Sequence, residues 1–177
     1  MKRINFIAII ISLFASCTTL QKVNNETIDS LDLNRFLGQW YEIARFDHCF
    51  ESGMENNKAV YTMGENGIVS VKNSGVKNGN LKEVSGIAKT TDNPGLLRVS
   101  FFKPFYADYR VLYLDAHYQY ALIGSASSDY LWILSRTPVP DPDLLQMVLD
   151  EAEARGYDTS KLIWVDQSRN IEAWEAD

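Results

Sequence analysis

The 177-residue chain is short of the residues that staple or ligate: it has two cysteines, Cys17 and Cys49, and two histidines, His48 and His117. Two cysteines make no disulfide framework, so a hydrophobic core must carry the fold. The histidines are far apart and offer no metal-site spacing, and neither a metal nor another cofactor is expected. Basic residues are the minority, 17 Lys and Arg against 23 Asp and Glu, and beyond the adjacent Lys2 and Arg3 they stand singly. Polyanion binding needs a clustered basic patch to displace counterions, so a nucleic-acid partner is not expected. Nothing resembles an interdomain linker, and one domain is the expectation.

A long apolar run is also missing. The longest, Ile4 to Phe14, stops well short of the roughly 20 residues that span a bilayer. Lys2 and Arg3 precede it and Ala15-Ser16 follow it, which is the pattern of a cleaved signal peptide over 1–16. Leu13-Phe14-Ala15-Ser16-Cys17 resembles a bacterial lipobox, with Phe14 where Leu is usual, and that resemblance implies acylation of Cys17. Cleavage without lipidation and retention of the apolar terminus are the alternatives. Thr18 after the cysteine resembles outer-membrane sorting, which places the expected domain in the envelope facing the periplasm. Removing 1–16 takes away Lys2 and Arg3 and no acid, leaving 15 basic residues (17 less two) against 23 acidic ones. Residues 17–30, polar and without periodicity, read as the lipidated cysteine and a flexible tether. The domain is expected over 31–177.

From Trp40 onward eight strand-like runs recur: Trp40 to Phe46, Asn57 to Met63, Ile68 to Asn73, Glu83 to Lys89, Leu96 to Phe102, Asp108 to Asp115, Tyr118 to Ala126 and Tyr130 to Arg136. Turn residues separate them, Lys77-Asn78-Gly79-Asn80 and Asp92-Asn93-Pro94-Gly95 among them. Many short strands with tight turns and no intervening helix indicate an antiparallel sandwich or an up-and-down barrel. After Pro138 the period becomes helical, with Asp141 as N-cap, Pro142 at the first position, apolar Leu144, Leu145, Val148, Leu149 and Ala152, and Gly156 as terminator. That stripe needs the outside of the sheet to pack on. Leu162-Ile163-Trp164-Val165 reads as a short final strand, and the tail from Gln167 as frayed.

Gly38-Gln39-Trp40, Ala107-Asp108-Tyr109 and Ser135-Arg136-Thr137-Pro138 occur in the order and spacing of the three lipocalin motifs, with Ala107 in place of a threonine. Longer stretches, Trp40 to His48, Val99 to Phe102, Pro104 to Tyr106 and Tyr130 to Pro138, are similar to bacterial outer-membrane lipocalins, relatives of apolipoprotein D. The resemblance runs from about Leu31 to Val165. It implies an all-β fold, an eight-stranded antiparallel up-and-down lipocalin barrel with the C-terminal helix packed outside and a short final strand. It also implies that Gly38, Trp40 and Arg136 close one barrel end, the guanidinium lying over the indole, a contact of roughly 0.5 to 2 kcal/mol. The alternative for Arg136 is an anionic headgroup.

Strand alternation, anchored by lipocalin register, points Ala59, Tyr61 and Met63, Leu97, Val99 and Phe101, Tyr109, Val111 and Tyr113, Ala121 and Ile123, and Tyr130, Trp132 and Leu134 into the barrel. The candidate ligand-binding residues are Ala59, Tyr61, Val99, Phe101, Tyr109, Val111, Tyr113, Ile123, Tyr130 and Trp132. Each is otherwise core filler, and a β-bulge would flip part of any set. As a group they suit an acyl chain, and the resemblance implies a fatty acid or lysophospholipid that is bound, stored or transported, with the lipid anchor as membrane contact and a homodimer as a further possibility. No catalytic residue is expected. An enzyme acting on a hydrophobic substrate is the alternative, using Cys49 or a buried Glu42. An unpaired Glu42 in an apolar cavity would be an acid or base, and one paired with Arg or Lys would be structural. The third reading is a scaffold with a filled barrel.

Overall fold

The two-residue turn at Asn78-Gly79 shows how local chemistry sets strand ends. Both residues have positive φ, 52° and 76°, as a hairpin turn matched to strand twist requires, and they join β3 (Val69–Lys77) to β4 (Asn80–Thr90). The computed structural model describes residues 23–175. The expected signal peptide, Cys17 and the residues up to 22 lie outside the described residues. The other strands are β1 (Gly38–Phe46), β2 (Met54–Met63), β5 (Leu96–Phe102), β6 (Phe105–Leu114), β7 (Tyr120–Gly124), β8 (Leu131–Ser135) and β9 (Leu162–Trp164). Neighbours pair antiparallel in the order β2 to β8 and then β1, and β1 pairs back onto β2, closing an eight-stranded barrel. β9 extends it, pairing with the far half of β1.

Two apolar clusters divide the two faces of the wall. Inside lie Trp40, Tyr61, Val69, Val71, Ala88, Leu97, Val99, Val111, Ala121, Ile123 and Leu134, with Phe36 beneath them. Outside, Tyr41, Ile43, Ala44, Phe46, Leu112, Leu122, Leu131 and Ile133 receive Val148 and Ala152 of helix α2 (Pro142–Ala154). Asp141 caps α2 by accepting from the amides of Asp143 and Leu144. Gly156 (φ 89°) ends it, with Tyr157 N–H donating to Ala152 O, a Schellman closure.

The short helix α1 (Leu33–Phe36), capped by Asp32, lies under the barrel at the Trp40 end. The hairpins β1–β2, β3–β4, β5–β6 and β7–β8 therefore all turn at the opposite, open end.

Three expectations are corrected. The tether does not run to residue 30: Asn24 N–H donates to Arg155 O, Asn25 Nδ2 to Ser125 O and Ile28 N–H to Val111 O, so the chain is bound to the wall from there on. The tail from Gln167 is not frayed but forms helix α3 (Ser168–Glu175). Its first amides donate to Asn56 Oδ1 on β2, a cap supplied from 113 residues away that no local pattern reveals. β3 continues past Asn73 to Lys77, and its Gly75 is required because a Cβ there would collide with the Asn57 side chain.

Candidate functional site

The closed end is built around one cation. The Arg136 guanidinium lies 3.8 Å from the Trp40 ring and donates to the carbonyls of Gln39 (2.7 Å), Arg35 (2.7 Å), Phe36 (3.1 Å) and Tyr118 (3.2 Å). It thereby satisfies carbonyls where α1 ends, which a helix terminus leaves without intrahelical partners. Trp40 Nε1 also donates to Phe36 O, at 2.8 Å. Gly38 has φ 94°, and a Cβ there would sit 3.4 Å from the Arg136 guanidinium.

Above this floor the accessible surface rises toward the open end. Trp40, Val111, Ala121 and Ile123 are fully covered. Tyr61 and Tyr109 meet hydroxyl to hydroxyl at 2.9 Å, and burial pushes the Tyr61 phenol up to about 12. Ala59, Phe101, Tyr109 and Trp132 keep part of their surface. Higher still, Ala107 and Val84 are exposed although both face inward: Ala107 stands opposite Val99, and Val84 opposite Asn73 on the same face as Val71. These two inward-facing yet exposed residues mark the accessible side of the mouth, on β4 and β6.

Tyr113, expected inside, is outside. A bulge between Val111 and Tyr113 inserts one residue opposite β7, so Leu112 and Tyr113 both join the outer cluster and Leu114 returns to the inner one. Met63 is 41% exposed at the closed-end terminus of β2. Tyr130 lies in the β7–β8 loop, its ring stacked 5.9 Å from Trp132 and tilted against His48 at 5.6 Å.

A second bulge, between Glu42 and Ala44, makes the feature that sequence reasoning missed. Simple alternation would turn Arg45 outward. The inserted residue switches phase, so Glu42 stands opposite Leu134 and Arg45 opposite Trp132, both inside. Arg45 is buried, 2.7 Å from Glu42 Oε1, and donates to Glu51 O at 2.7 Å. Glu51 accepts from Trp132 Nε1 at 3.1 Å and lies 3.0 Å from His48 Nε2. Asn57 Nδ2 reaches Glu42 Oε2 at 3.5 Å. The result is a polar collar on the β1, β2 and β8 side, facing the apolar cup.

Burial first, and the charge of Glu51 second, push the Glu42 carboxyl up to about 8 against the pull of Arg45. Burial works against Glu51 too, but hydrogen bonds from His48 and Trp132 hold it below the usual carboxylate range. Glu42 is thus paired with an arginine, the arrangement that reads as structural. Cys49 is exposed and free, and His117 is exposed. Among the described residues no three His, Cys, Asp or Glu side chains converge as a metal site.

A closed eight-stranded antiparallel barrel with one plugged end, one open end and a helix on its wall is the lipocalin architecture. Residues 31–167 match the lipocalin-like domain model, and the chain belongs to the lipocalin family. It is 44% identical over 144 residues to outer membrane lipoprotein Blc of Escherichia coli (strain K12), covering 79% of this chain and 81% of that one. It is 41% identical to the Vibrio cholerae protein of the same name (79% and 85% covered) and 32% identical to mouse apolipoprotein D (79% of each). Among solved structures, the cockroach allergen Per a 4 superposes with a TM-score of 0.69 at 18% identity, covering 83% of this chain and 95% of that one. Insecticyanin from Manduca sexta gives 0.67 at 23%, covering 80% and 83%.

Two predictions follow from the two ends of the barrel. Arg136→Lys keeps the charge but not the fork that serves several carbonyls, and is expected to cost about 2 kcal/mol in urea denaturation. An unchanged midpoint would mean that the closure is not held by that geometry. At the other end, the unfolded Glu42 carboxyl ionises near 4.5 and the folded one near 8, so between these values the folded chain holds the extra proton. This contribution to stability is full below about pH 4.5 and is lost as pH rises through 8. Glu42→Gln is therefore expected to flatten the decline of the urea midpoint between pH 5 and 8, and parallel profiles for the two proteins would contradict the assignment.

Proposed function

We propose that the protein is an outer-membrane lipocalin, anchored through acylated Cys17, that binds and carries a fatty acid or lysophospholipid in the mouth half of its barrel. The carrying observation is the pairing of a filled floor with inward-facing yet exposed Ala107 and Val84. An acyl chain lying on Ala59, Val99, Phe101, Tyr109 and Trp132 would gain roughly 25 cal/mol for each Å² of apolar surface it covers. Val111 and Ile123, fully covered, form the floor that would limit its depth. The collar supplies polar capacity for a headgroup: buried Arg45 Nε, Asn57 Oδ1 and Asn73 Oδ1 have no protein partner. Among the described residues no helix is long and apolar enough to cross a membrane, and the Cys17 acyl chains are the attachment we infer. The names of the bacterial relatives support the outer membrane as the location. Neither exposed Cys49 nor Glu42, hydrogen-bonded to Arg45, offers the constellation that an enzyme reading requires.

Native mass spectrometry of the protein offered a mixture of fatty acids, lysophospholipids and retinoids tests this reading. One acyl lipid retained per chain is expected, with retention falling at least tenfold in Ala107→Trp, which fills the cup from an exposed position. Failure to retain any apolar compound would overturn the carrier reading in favour of a scaffold.

A further inference from the structure

Four large apolar side chains are more exposed than any others among the described residues: Phe105 (77%), Phe102 (76%), Phe50 (74%) and Leu81 (65%). All four lie at the open end. Phe102 and Phe105 flank the Lys103-Pro104 turn of the β5–β6 hairpin, Leu81 follows the β3–β4 turn, and Phe50 is in the β1–β2 loop. Exposed aromatic groups on separate loops at one end of a barrel form a discontinuous apolar rim, and such surface marks an interaction site.

The charge around the rim is uneven. Lys77 and Lys82 bracket the β3–β4 turn and Lys103 sits between the two phenylalanines, none of them in an ion pair among the described residues. Of the acids at this end, Asp47, Glu51 and Asp129 belong to the β1–β2 and β7–β8 side, while exposed Glu55, in register with Val76, and Glu83, paired with Lys72, stand on the flanks of the β3–β4 hairpin below its tip. The closed end is acidic, with exposed Asp29, Asp32, Glu65, Asp92, Asp141 and Asp143 around Arg35. An anionic bilayer therefore attracts the tips of the β3–β4 and β5–β6 hairpins, where the three lysines stand, and repels the acidic closed end.

The course of the chain agrees. Asn25 is bound to Ser125 and Ala126 in the β7–β8 loop at the open end. Gly124, beside that loop, is in register with Arg110, and Phe105 lies five residues further along β6, about 17 Å. Cys17 precedes Val23 by six residues, a covalent reach of at most about 21 Å. A membrane-embedded Cys17 can thus sit level with the rim.

We propose that the β3–β4 and β5–β6 hairpins seat the barrel mouth on the bilayer, with Leu81, Phe102 and Phe105 in the interface and Lys77, Lys82 and Lys103 on anionic headgroups. This orientation lets an acyl chain pass between bilayer and cup without crossing water. It rests on the anchored-carrier reading for the position of Cys17 and on the exposed rim for the rest. A second copy of the chain is the competing occupant, disfavoured because a two-fold contact through these hairpins brings their lysines together.

The test uses the full chain, processed and purified from bacterial membranes and reconstituted in vesicles of phosphatidylethanolamine and phosphatidylglycerol. In a Cys49→Ser background, an environment-sensitive fluorophore is placed through Phe105→Cys or, at the closed end, through Asp92→Cys. Quenching by brominated lipid is expected to be at least threefold stronger at position 105 than at 92, and to fall when Lys77, Lys82 and Lys103 are all changed to Glu. Equal quenching at the two positions, or stronger quenching at 92, overturns the orientation. A shift at 105 that follows protein density and not brominated lipid overturns it in favour of a second copy. Mass spectrometry of the same preparation reads Cys17 acylation separately: an unacylated chain that still floats with the vesicles removes the anchor and supports the rim, and one that stays in solution overturns the rim. Lipid retention in the native mass spectrum reports on the carrier reading independently.

Discussion

Arg136 is the point at which three distant parts of the chain are tied together. Its guanidinium covers the Trp40 ring and reaches carbonyls on α1, on β1 and in the β6–β7 loop. A charged group with several acceptors and an aromatic face is well compensated for partial burial. Without such a plug both ends of the barrel would admit water, and the interior could not be graded from a dry floor to an accessible mouth. Ala121 and Ile123, fully covered, belong to the same inner cluster as Trp40.

Two bulges then decide what the interior presents. The one in β6 sends Tyr113 out to α2 and returns Leu114 to the floor. The one in β1 brings Glu42 and Arg45 to the same face, placing a buried hydrogen-bonded pair where alternation alone would set Arg45 against the outer apolar cluster. Arg45 in turn holds the β1–β2 loop through the carbonyls of Glu51 and Met54. The mouth is thus organised by charge on one side and left apolar and accessible on the other.

Strand count, the outer helix and its Asp141 cap were legible because each rests on a local signal: two-residue periodicity, turn residues, an Asx cap with proline after it. Closure into a barrel, where local signals also allowed a sandwich, rested on family resemblance. The placing of Arg136 over Trp40 came from family resemblance, since nothing local joins residues 96 positions apart. Ala59, Tyr61, Val99, Phe101, Tyr109, Val111, Ile123 and Trp132 face inward where alternation put them. Tyr113 does not, because a bulge is a backbone event with no reliable residue signature. The collar was hidden for the same reason, although Glu42 and Arg45 at a spacing of three on a strand were a hint, since strict alternation would bury one charge alone. α3 and residues 24–30 were read as loose because their partners, Asn56, Ser125 and Val111, are remote in sequence.

The central claim is that the barrel is filled at its closed end and open to ligand along β4, β5 and β6. A crystal structure of the protein with a fatty acid brominated at its terminal carbon tests it most directly, because the anomalous signal of bromine locates the chain end without interpretation of weak density. A peak is expected inside the barrel, above the Tyr61–Tyr109 hydroxyl pair and within contact of Val99 or Phe101. A peak outside the wall, or beneath that pair beside Trp40, would contradict it.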